Sequence, residues 1–99
     1  MKVKAIMKRC YQLALFEDEV RYTSNAHFFI DQIKEHTEGM DEAAKMIKKT
    51  NTIAEKHFQE MKRELVENVY QLFLMAEHFN INLEKELTIK TKEDDEEDE

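Results

Sequence analysis

Residues 53–79 read IAEKHFQEMKRELVENVYQLFLMAEHF, a run without Gly or Pro in which Phe58, Met61, Leu65, Val69, Leu72, Ala76 and Phe79 recur at steps of three and four residues. An α-helix turns once in about 3.6 residues, so this spacing lays the apolar side chains along one face. Within the run, Leu72-Phe73-Leu74-Met75 is apolar around nearly the whole circumference. A helix that is greasy on every side has no place on the surface of a 99-residue monomer. It is expected at the centre of a bundle or in half of a subunit interface, and an oligomer is the favoured arrangement.

The flanking segments read the same way. Ile6, Met7, Cys10, Leu13, Ala14 and Val20 form a helical stripe that predicts a first helix from Val3 to about Tyr22. Thr23, Ser24 and Asn25 offer side-chain oxygens to the unpaired N–H groups of a second helix. Phe28, Phe29, Ile30, Ile33, Met40, Ala44 and Ile47 continue that helix, with Gly39 marking a bend and Lys45, Lys48 and Lys49 suiting its C-terminus. Thr50-Asn51-Thr52 is read as a polar connector. Asn80-Ile81-Asn82 breaks the pattern and caps a short last helix, about Leu83 to Lys90. The expectation is an all-α, antiparallel bundle of about four helices completed by oligomerisation. It forms one domain over residues 1–92, followed by a disordered acidic tail, residues 93–99.

Composition excludes several functions. One Gly and no Pro rule out the glycine-rich loops that cradle phosphates, since only residues without a Cβ let the backbone approach so closely. The net charge of −7 belongs to the tail: residues 93–99 are all acidic, and the rest of the chain balances 15 acids against 15 bases. A neutral body argues against nucleic acid or an anionic membrane as partner. No apolar stretch approaches the ~20 residues of a membrane span. The start MKVKAIMKR carries Lys or Arg too often for the apolar part of a signal peptide, and Cys10 has no partner within the chain, so a cytoplasmic setting is expected.

The four histidines do not make a metal motif. The residues three before His27, His36, His57 and His78 are Ser24, Ile33, Ala54 and Met75, none of them acidic, so the Glu-x-x-His pattern of di-iron bundles is missing. No two histidines stand four apart, as a HExxH zinc site requires. They read as partly exposed helix-surface residues, and Cys10 as a small buried hydrophobe. Paired carboxylates remain: Glu35/Glu38 and Glu64/Glu67 are each spaced i, i+3, which projects the two side chains of a pair to one side of a helix. If their helices pack antiparallel, the four can converge on a hard divalent cation, which takes oxygen ligands. Chance alone produces such pairs in a chain this acidic, so the spacing by itself favours a solvated surface.

Residues 64–90, ELVENVYQLFLMAEHFNINLEKELTIK, carry a further signal. The segment resembles the C-terminal half of the MazG-like family, the all-α nucleoside triphosphate pyrophosphohydrolases. Glu64 and Glu67 fall on the family's Glu-x-x-Asp motif, Ala76 on the small residue ending the apolar helix, Ile81-Asn82-Leu83-Glu84 on the next helix start, and Lys90 on a lysine beyond it. Glu35-His36-Thr37-Glu38, separated from Glu64 by 25 residues, lies where the family has a Glu-x-x-Glu motif. Gly39 stands where a core Leu usually follows, and Glu67 replaces Asp.

The resemblance implies Mg²⁺ or Mn²⁺ held by Glu35, Glu38, Glu64 and Glu67, and a nucleotide substrate cleaved to a monophosphate and pyrophosphate. It implies Glu38 or Glu35 as general base, Lys90 balancing phosphate charge, and a homodimer or homotetramer. The contrasting expectation is a non-catalytic α-helical oligomer, a scaffold or regulatory binding module.

Overall fold

The computed structural model describes residues 3–50 and 55–97, without the side chains of residues 50 and 93–97. Within those residues the chain is helical and has no strand: α1 is Val3–Phe16, α2 Ala26–Thr50, α3 Glu55–His78 and α4 Leu83–Glu97. Among the described residues, no helix is long and apolar enough to cross a membrane. The expected connector at Asn51-Thr52 and the expected start of α3 at Ile53 lie outside the described residues. The chain divides into two compact units, one made of Met1–Tyr22 and Phe73–Glu99, the other of Thr23–Leu72.

In the first unit α1 packs with α4, and the buried apolar side chains are Met7, Ala14, Val20, Leu74 and Ala76. α1 ends six residues before the expected Tyr22, at Phe16. The cause is Asp18, whose φ of 59° places it in the left-handed region. Glu19 N–H then donates to Ala14 C=O at 2.9 Å and Asp18 N–H to Leu15 C=O at 3.2 Å, the two bonds of a Schellman cap. α3 ends identically at Asn80, with φ 57°, Ile81 N–H on Ala76 C=O and Asn80 N–H on Glu77 C=O. Asp and Asn tolerate this conformation better than other non-glycine residues, which lets a chain with a single Gly stop its helices.

Asn82 caps α4 as expected, its Oδ1 accepting from Lys85 N–H at 3.0 Å. The backbone is helical through Glu97, beyond the expected end near Lys90. Neither Gly nor Pro interrupts it. A further tie in this unit joins the Tyr11 hydroxyl to His78 Nδ1 at 2.8 Å. Burial first, then the nearby Tyr22 and Glu77, raise the Tyr11 pKa above its ordinary value and keep that hydroxyl protonated.

The second unit is α2 with the first part of α3. Asn25 caps α2, its Oδ1 accepting from Phe28 N–H at 3.1 Å, and Lys48 and Lys49 occupy the last turn. Phe29 and Ala43 are buried, whereas Ala44, which the sequence reading put on the stripe, is exposed. The inward face of α2 is therefore Phe29, Ile33, His36, Met40, Ala43 and Ile47, a strict alternation of four- and three-residue steps.

α3 presents an unexpected face to α2. Glu64 and Asn68 bond to His36 and Thr37, while Phe58, Leu65, Val69 and Leu72 of the apolar stripe are 38–52% exposed. Of the all-round apolar run, Leu74 is buried, Phe73 and Met75 are half-buried and Leu72 is exposed.

Candidate functional site

α2 and α3 run antiparallel in the second unit, because residues later in α3 meet residues earlier in α2. Glu64 approaches His36 and Gly39, Asn68 approaches Thr37, and Glu60 lines a groove with Ala43 and Met46. The two acidic motifs thus stand at one level of the helix pair. At that level the residue of α2 that meets Glu64 is His36, with Nδ1 and Oε2 2.7 Å apart and both side chains about one-fifth exposed. The carboxylate oxygen accepts, so Nδ1 carries the proton.

The expected ligands are placed as follows. Glu35, Glu38 and Glu67 are exposed, and Glu64 is half-buried on its histidine partner. Successive helix residues are rotated by about 100°, so Glu38 projects roughly 200° round α2 from His36 and Glu35 roughly 100° from it. Among the described residues, no three or more His, Cys, Asp or Glu side chains are grouped so as to hold a metal ion. Lys90 is exposed on α4, in the first unit. Lys45 is committed to Asp41 at 3.0 Å, and that hydrogen bond is the main cause of its raised pKa.

Gly39 decides how closely Glu64 can approach α2. α2 continues through it in ordinary helical conformation, and the role expected of it, a bend, gives way to one of clearance. A Cβ there would lie 2.8 Å from Glu64 Cδ and 2.9 Å from its Cγ, inside any real contact distance. Beside it opens a groove of about 340 Å³ lined by Gly39, Glu42, Glu60, Arg63 and Glu64, which gives solutes access to the Glu64 carboxylate.

Gly39→Ala is expected to swing Glu64 off His36 while changing overall stability by no more than about 1 kcal/mol. The gain of roughly 1 kcal/mol from replacing a mid-helix glycine offsets the lost charge-assisted bond. NMR of the His36 ring nitrogens checks this; unchanged ring signals in the variant would contradict it.

Sequence reasoning missed His36, Thr37 and Asn68. The signal for His36 was present as a gap: it sits three residues after Ile33 and four before Met40, on the buried stripe. Asn68 is 8% exposed; its Nδ2 donates to Thr37 Oγ1 at 3.0 Å, and that hydroxyl donates to Ile33 C=O at 2.7 Å. Cys10 is a free, half-buried thiol. Three of the histidines are more engaged than surface residues: His36 with Glu64, His78 with Tyr11, and His57 with Glu60 at 3.7 Å. No protein-family model matches the chain, and no curated protein or solved structure matches it.

Proposed function

We propose that this protein is a metal-dependent nucleoside triphosphate pyrophosphohydrolase of the MazG-like kind, working as an oligomer. The observation that carries the reading is the register of the α2–α3 pair. The contact of Glu64 with His36, directly between Glu35 and Glu38, sets both carboxylate motifs at the same height.

The donor chemistry fits a hard cation. Glu35, Glu38, Glu64 and Glu67 offer only oxygen, and the missing side chain at Gly39 gives Glu64 its place against α2. Bound there, Mg²⁺ or Mn²⁺ would offset the triphosphate charge and activate a water. The chain's own share is to hold Glu64 in place through His36 and to supply Glu35 or Glu38, both exposed, to orient that water as general base.

Self-association belongs to the reading. Phe58, Leu65, Val69 and Leu72 leave an apolar stripe on α3 in water, and a second copy laid against it would cover it.

A second reading, a non-catalytic helical oligomer serving as scaffold or regulatory module, is favoured by one specific observation. Glu64 already has a partner, and the other three carboxylates face solvent. Thermal melting with and without millimolar Mg²⁺ or Mn²⁺ separates the two. A cation at 100 times its dissociation constant, bound only to the folded state, adds about 2.7 kcal/mol, a shift of several degrees. The enzymatic reading expects that shift together with pyrophosphate release from at least one of a panel of nucleoside triphosphates. Neither effect would leave the non-catalytic reading.

A further inference from the structure

The second unit has its apolar and polar side chains placed against the interest of a lone chain. Among the described residues, its buried apolar side chains are Phe29 and Ala43, both on α2. What α3 buries there is polar, Asn68. The buried side-chain atoms without a hydrogen-bond partner among the described residues are also on α3: His57 Nδ1, Asn68 Oδ1 and Gln71 Oε1. Unpaired buried polar atoms weaken a contact instead of holding it.

On its outer side the same helix leaves Phe58, Leu65, Val66, Val69 and Leu72 between 38% and 58% exposed. Phe58, Leu65 and Leu72 stand seven residues apart with Val69 beside them, the spacing of a helix that packs lengthwise on another. Their exposed parts make up roughly 400 Å², a size at which apolar patches mark interaction surfaces. A short unit that buries two apolar side chains and exposes five has too little core to keep two helices in register, and oligomerisation is the usual remedy.

Charge and area argue for a second copy as the occupant. Residues 55–72 carry four acids and three bases, mixed along the helix, so two copies meet without net repulsion and a partner recognised by its charge finds no handle. An apolar, near-neutral face is self-complementary and closes on itself about a two-fold axis. Two such patches with their polar margins approach the ~1,200 Å² at the low end of specific interfaces.

We propose that the second unit is ordered by assembly: a second copy on the outer face of α3 supplies the core that α2 and α3 lack, so that the contact of Glu64 with His36 exists in the oligomer and not in the lone chain. Any cation site built on Glu64 is then switched by chain concentration; that last step alone rests on the pyrophosphohydrolase reading.

The test uses the full chain, read by sedimentation, by melting and by the NMR contact between the Gly39 α-protons and the Glu64 side chain. The natural chain should sediment as an oligomer, and dilution should lower its melting point. Leu65→Lys should weaken association at least about tenfold and erase the Gly39–Glu64 contact, since a central apolar anchor carries that much of an interface. Lys62→Leu, which adds an apolar side chain beside the same row, should tighten association and raise the melting point. Leu13→Lys is the control: Leu13 is 50% exposed on α1, in the first unit, and its loss should leave association unchanged. A natural chain that is monomeric at every concentration, a monomeric Leu65→Lys variant that keeps the Gly39–Glu64 contact, or equal effects of Leu65→Lys and Leu13→Lys would each overturn the inference. Mg²⁺ or Mn²⁺ binding by such a monomer would leave the enzymatic reading standing, whereas an oligomer that behaves as described and binds neither cation would remove the enzymatic reading and keep this inference.

Discussion

Phe29→Ala is expected to destabilise the protein by about 3–5 kcal/mol, the usual effect of emptying an aromatic site in a core. Phe29 is 0% exposed and is, with Leu74, one of the two largest fully buried side chains among the described residues. It lies one turn inside the N-terminus of α2, where Asn25 caps the helix and Phe28 meets it edge to face with ring centroids 5.2 Å apart. Small domains are stable by only about 5–15 kcal/mol, so this one truncation removes a large share of the total. Melting should fall by roughly 15 °C or more. Phe16→Ala supplies the control: the same side chain is lost at a position 88% exposed, and stability should stay within about 0.5 kcal/mol. Equal effects at the two positions would mean that the packing described for the second unit is wrong.

Glu64→Gln is expected to abolish any cation-induced gain in melting point and to lower pyrophosphate release on the order of 10²-fold or more, since even misplacing a catalytic contact by ~1 Å has that effect. Glutamine has the same length and keeps a side-chain oxygen that can accept from His36 Nδ1–H, so the cation-free fold should change by no more than about 1 kcal/mol. The two functional readings diverge here. In a pyrophosphohydrolase the substitution acts through the cation, whereas in a scaffold Glu64 is only a tie between α2 and α3 and the variant alters cation-free stability alone. A variant that retains the full cation-induced shift would remove Glu64 from the ligand set.

The helical class, the two N-caps at Asn25 and Asn82 and the antiparallel run of α2 against α3 were all legible in the residues. Helix ends were less so. Gly is the usual signal for a left-handed cap, and this chain uses Asp18 and Asn80, whose short polar side chains give no comparably clear mark. The last helix runs on to Glu97, past the Lys90 at which its apolar spacing ends. Thr88, which donates to Glu84 C=O at 2.7 Å, and Thr91, which donates to Thr88 C=O at 2.9 Å, sit within a helix whose backbone bonds do not depend on an apolar face.

The candidate site shows where pattern ends and packing begins. Periodicity established that Glu64 and Glu67 share one side of a helix and that Glu35 and Glu38 share one side of another. It did not establish which side of each helix meets the other. On α3 two stripes compete: the apolar Phe58, Leu65, Val69 and Leu72, and the polar His57, Glu64, Asn68 and Gln71. Hydropathy alone turns the first inward.

By itself the sequence determined that the chain is helical, roughly where α1, α2 and α4 start, and that a neutral body carries an acidic end, because each of these follows from local residue types and spacing. Tertiary structure alone decided that α3 turns its polar seam toward α2, that His36 rather than Glu35 or Glu38 receives Glu64, and that Gly39 is the clearance for that contact. The reason is that the azimuth at which two helices meet is set by side chains fitting across a gap, and one helix's periodicity holds no information about the surface opposite it.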